Sequence, residues 1–127
     1  MRNRPFAKPE IEEPGRVQMR HHEGGIVCTV EQTVSGNHDD LTHLVRDTIS
    51  GLARWTAEQG GLVGHIKASL QTSSGTLIFS CTGGDVHIRA FSDPGASLQF
   101  TAIVFFVDEE QLRERLERFL DLLQQNT

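Results

Sequence analysis

The chain has 127 residues, enough for one hydrophobic core and too few for two. Its 12 Lys and Arg against 17 Asp and Glu leave a formal charge of -5, a field that repels phosphate backbones and argues against nucleic-acid binding. No stretch approaches the ~20 apolar residues that cross a bilayer, and the two cysteines, Cys28 and Cys81, stand far apart outside any C-x-x-C pair, which leaves neither a zinc ribbon nor a thioredoxin-like redox site.

Residues 1–24 mix Arg, Glu, Pro and His without a period and read as a disordered tail, so the expected domain is a single one over 25–127. The first nine residues are charges broken by Pro5 and Pro9 rather than an apolar signal segment, and the expected compartment is cytoplasmic. From Gly25, Ile26, Cys28, Val30 and Val34 alternate with Thr29, Glu31 and Thr33, the period of a half-buried strand. Turn formers follow at 35–39, with Asn37 or Asp39 placed to cap a helix and Asp39 and Asp40 favourable to its positive end. Leu41, Leu44, Val45, Ile49, Leu52 and Trp55 then recur at helical spacing until Gly60-Gly61 supplies a left-handed stop.

Over 64–71, Ile66, Ala68 and Leu70 share one face of a strand, with His65, Lys67, Ser69 and Gln71 on the other. A turn at 72–75 leads into Leu77, Phe79 and Cys81, and Gly83-Gly84 marks a reversal or bulge before Val86, Ile88 and Ala90. Residues 98–107 are the most apolar run, too short for a buried helix and rich in β formers, hence a central strand apolar on both faces near its end. Asp108, with Gln111 three residues on, opens an amphipathic helix carrying Leu112, Leu116, Phe119, Leu120 and Leu123. These elements predict an α+β fold, a ferredoxin-like α-β plait with a largely antiparallel sheet of four to five strands and two helices on one face. The other face is expected to stay open.

The runs at 62–68, 76–80 and 102–112, within a span of 30–123, resemble the C-terminal domain of CobW-like GTPases. In that family one strand carries an arginine or similar residue, then lysine, then a small residue; here His65 departs from the first, while Lys67 and Ala68 match the others. The resemblance implies a stand-alone module that accompanies metal delivery, with a GTPase or metal-enzyme partner. It implies neither nucleotide chemistry nor a metal site, because the chain has no G-x-x-x-x-G-K-[ST] loop and no C-x-C-C motif. No cofactor is expected.

Six histidines invite a search for metal ligands. His38 and His43 with Asp39 and Asp40 are candidates, then His65 and His87, yet a spacing of five does not set two imidazoles on one helical face, and ordinary helix capping accounts for the group as well. On the open sheet face Glu31, His65, Lys67, His87 and Arg89 share an outward phase, a set fit to bind an anionic small molecule or to act as acid and base; a solvated sheet face with cross-strand ion pairs is the plainer account. Cys28 and Cys81 lie on the inward phase, where a thiol is inert. Ile103, Phe105 and Val107 with Ile78, Val27 and Phe91 carry the phase of the open face, which predicts a homodimer formed sheet to sheet unless the N-terminal segment covers them. Three functions follow: a non-catalytic binding or interaction module, a small histidine-based metal-binding accessory protein, or an enzyme using His65, Lys67, His87 and Arg89.

Overall fold

The computed structural model describes residues 16–125. In chain order these form β1 (Gln18–His22), β2 (Gly25–Thr33), α1 (His38–Glu58), β3 (Leu62–Thr72), β4 (Gly75–Cys81), β5 (His87–Phe91), β6 (Ser97–Phe105) and α2 (Glu109–Gln125). The strands make one sheet in the order β1-β2-β6-β3-β4-β5, and every neighbouring pair is antiparallel. The α+β class, the antiparallel open sheet and the two helices agree with the sequence; the strand count is six rather than four to five. The split β-α-β half of a plait is present, since β2 and β3 flank β6 and α1 joins them. The second half departs from it, because β3, β4 and β5 run on as a meander and α2 follows β6 instead of preceding a strand.

The sixth strand is β1, which lies inside the segment read as a tail, so that reading is corrected for residues 16–24; residues 1–15 lie outside the described residues. A hairpin explains it. Glu23 and Gly24 form a two-residue turn with φ of 52° and 85°, and positive φ at both positions matches the twist of the flanking strands. Val17 is buried, and Arg16 bridges Glu117 and Asp121 of α2 at 2.5 and 2.9 Å. Those two carboxylates, Asp121 first, raise the affinity of the Arg16 guanidinium for its proton. Arg113 adds a bond to the Val17 carbonyl at 3.1 Å and Glu109 one to His21 at 2.7 Å. Too few apolar residues occur here for a period to show, and the edge strand is held by its ladder and by polar contacts to α2.

Ile26, Cys28 and Val30 of β2, Ile66, Ala68 and Leu70 of β3, Phe79 of β4 and Leu98, Phe100, Ala102 and Val104 of β6 form one core with the stripes of both helices. Phe100 meets Phe119 with ring centroids 5.4 Å apart. Both helices therefore cover the same face of the sheet. Asn37 caps α1 by accepting from the Asp40 N–H at 3.0 Å, and Asp108 caps α2 by accepting from Glu110 and Gln111.

At the end of α1, Gly60 (φ 76°) donates to Ala57 and Gly61 donates to Thr56, the paired bonds of a Schellman cap. A methyl group at Gly61 would stand 2.5 Å from the carbonyl oxygen of Phe105 and 3.0 Å from that of Thr56, so the chain turns here against the end of β6. Gly61→Ala is expected to lower the unfolding free energy by about 1–3 kcal/mol through this overlap, whereas Gly84→Ala, which meets nothing within 4 Å, is expected to change it by no more than about 0.5 kcal/mol; urea denaturation of both variants checks the contrast.

Candidate functional site

Alternation along the strands assigns the face that no described helix covers. Because Ile66, Ala68 and Leu70 point to the helices, His65, Lys67 and Ser69 point away from them. The register sets Thr101 of β6 and Ser80 of β4 on either side of Lys67, and Gln99 and Ile78 on either side of Ser69. Ile103 lies beside His65. Together His65, Lys67, Ser69, Ile78, Gln99, Thr101 and Ile103 line a half-open concavity of about 370 Å³ over the backbone of Ala68. It is at the lower end of the size range of small-molecule sites.

A β-bulge between Val63 and His65 shapes one end of this concavity. The extra residue is Gly64, and its insertion returns Val63 to the helix side beside Val104 and turns Leu62 outward beside Phe105. A methyl group on Gly64 would stand 3.0 Å from the Phe105 ring, and one on Gly25 would stand 2.7 Å from it. The ring therefore lies over two glycines of the flanking strands.

The five residues expected on the open face, Glu31, His65, Lys67, His87 and Arg89, all carry its phase, yet only His65 and Lys67 line the concavity. Glu31 aligns with Gln99, Ser69, Ile78 and Arg89, which sets it four strands from Arg89, about 19 Å away. His87 aligns with Lys67 across β4, about 10 Å off. Glu31 does not stand among these basic side chains. Arg89 instead lies over the Phe91 ring, 5.5 Å from its centroid. The ion pairs among the described residues join Arg16 to Glu117 and Asp121, His21 to Glu109 and His22 to Glu23, so Lys67 takes part in none. The Nε2 of His65 is buried without a hydrogen-bond partner.

Among the described residues no three His, Cys, Asp or Glu side chains are grouped to hold a metal ion, and His38, Asp40 and His43 are not brought together. His38 has another task. Its Nδ1 lies 2.6 Å from the Thr72 hydroxyl, which also accepts from the Ser74 N–H at 3.2 Å, so the imidazole ties the start of α1 to the β3-β4 turn. Asp40 gives its backbone N–H to the Asn37 cap.

Gln99, Thr101, Ser69, Ile78 and Ile103 were not among the sequence candidates for the site. Polar residues at every second position from Ser97 to Thr101 gave the signal, hidden beneath the apolar phase of Leu98, Phe100 and Ala102. The expected outward patch is smaller than its phase suggested. Val27 is buried, Ile78, Ile103 and Phe105 are partly covered by their neighbours, and Val107 packs on the core. The last is a correction with a local cause: Phe106 takes φ 66°, which turns the chain so that Phe106 stands 76% exposed and Val107 points back to the helices.

With this geometry in view, comparison with models of protein families, with curated proteins and with solved structures finds no match to the chain. No described helix is long and apolar enough to cross a membrane.

Both thiols are free and buried, as their phase required. Burial pushes the Cys28 thiol up from 9.0 to about 12, with its Sγ donating to the Ala102 carbonyl at 3.5 Å. The folded state holds that proton after the unfolded chain has lost it, so this contribution to stability is complete below pH 9 and is lost as pH rises through the folded value near 12. The chain has no tyrosine to titrate in the same window. Unfolding free energy is expected to fall between these limits by up to about 1.4 kcal/mol per pH unit, and Cys28→Ala is expected to flatten that slope in denaturation curves taken at successive pH values.

Proposed function

We propose that the chain is a non-catalytic binding module that works through the uncovered face of its sheet, in keeping with its resemblance to the C-terminal domain of CobW-like GTPases. One observation carries the reading: a concavity of about 370 Å³ sits in the middle of that face, lined by Lys67, His65, Thr101, Ser69 and Gln99, with no carboxylate among the lining residues. Such a lining has donors to orient an occupant. The resemblance favours an occupant connected with a GTPase or a metal enzyme. The ferredoxin-like plait belongs to the same reading, with the split β-α-β unit as its support.

A second reading, a homodimer joined sheet to sheet, is favoured by Leu62 and Phe91, which stand 60% and 46% exposed on the outward phase. The two differ in what they ask of the concavity, since a sheet-to-sheet dimer would close it.

Screening isotope-labelled protein with a fragment collection of mixed charge tests the first reading. Amide shifts are expected to cluster at residues 65–69, 78 and 99–103, with a monomeric mass by light scattering at micromolar concentration. Fragments that map to the helices instead would contradict the binding face. A dimeric mass lost on Phe91→Ser would transfer the face to the second reading.

A further inference from the structure

The open face differs in charge from the chain as a whole. Its strand positions among the described residues hold the cations Arg20, Lys67 and Arg89 against a single carboxylate, Glu31, although the chain carries -5 overall. Of these only Lys67 lines the concavity. Glu31 is two strands and two residues away from it, about 12 Å by strand spacing and rise, and forms no ion pair with it. Lys67 is thus a cation held at a concave surface with hydroxyl neighbours, Thr101 and Ser80, on both adjoining strands.

The remaining lining narrows the chemistry. Ile78 and Ile103 stand on opposite sides of β3 and give the concavity apolar walls. Neither an arginine fork nor a helix N-terminus lines it, so the means by which proteins usually hold a bare phosphate are missing from the lining. A cationic occupant would meet Lys67 with no carboxylate to offset it. His65 lines the concavity as well, and its Nε2 is buried with no hydrogen-bond partner.

We infer that the concavity binds a small organic carboxylate with an apolar body. Its carboxylate sits on the Lys67 ammonium and the Thr101 hydroxyl, and its body lies between Ile78 and Ile103 beside His65. The inference rests on the reading of the open face as a binding surface and adds the class of ligand.

Four probes separate the possibilities: benzoate, its neutral counterpart benzamide, benzylamine and inorganic phosphate, each titrated into labelled protein while amide shifts are followed. Benzoate is expected to shift residues 65–69, 78 and 99–103 saturably and to bind about tenfold more tightly than benzamide, the scale of one charge-assisted contact. Lys67→Gln is expected to abolish that preference by weakening benzoate about tenfold, and the rest of its spectrum reports whether the variant is folded. Preferential binding of benzamide, benzylamine or phosphate at the same amides would overturn the carboxylate and leave the binding face standing. If none of the four moved those amides, both the carboxylate and the small-molecule face would fall.

Discussion

Everything in this fold depends on β6 entering between β2 and β3. It is the last strand of the chain and pairs with a neighbour some seventy positions earlier in sequence as well as with β3, so the sheet is complete only once the distant halves have met. Its inward residues Leu98, Phe100, Ala102 and Val104 form the middle of the core, and its outward residues Gln99, Thr101 and Ile103 line one side of the concavity. One strand therefore couples stability to site. Long-range pairing of this kind favours slow, cooperative folding over piecewise assembly.

The second constraint is unequal covering. Two amphipathic helices suffice for one face of a six-stranded sheet, and burial of large apolar side chains on that face, each contributing about 1.5–3 kcal/mol, stabilises the sheet without help from the other. The uncovered face then tolerates polar residues, and it holds charge of the opposite sign to the chain's total. Glycine refines its shape: Gly25 and Gly64 leave room for the Phe105 ring, and the bulge at Gly64 directs Leu62 outward and Val63 inward. A face built this way offers a recess with donors around it.

Much of this was legible in the amino-acid order. The alternation of Ile66, Ala68 and Leu70 with His65, Lys67 and Ser69 assigned β3 and its two faces, and the spacing of Leu41, Val45, Ile49 and Leu52 assigned α1. Asn37 was identified as one of two possible caps by its position alone. What escaped was set by distant contacts. β1 has few apolar residues and is held by pairing with β2 and by Arg16, Arg113 and His21 reaching α2. One left-handed residue, Phe106, reversed the side on which Val107 falls. Strand order decided the site: Glu31, His87 and Arg89 have the right phase and lie on the wrong strands to meet Lys67.

Lys67 allows the central claim to be tested directly, since it is the single lysine among the described residues and its side chain stands at the middle of the face held to be open. Acetylation of the native protein at low concentration, read out by peptide mass, reports its access to solvent. An open binding face requires Lys67 to react at a rate near that of a free side-chain amine and to slow when the concavity is occupied by benzoate. A Lys67 that stays unmodified in dilute, folded protein would mean that the face is covered, and the account of it as a binding surface would be wrong.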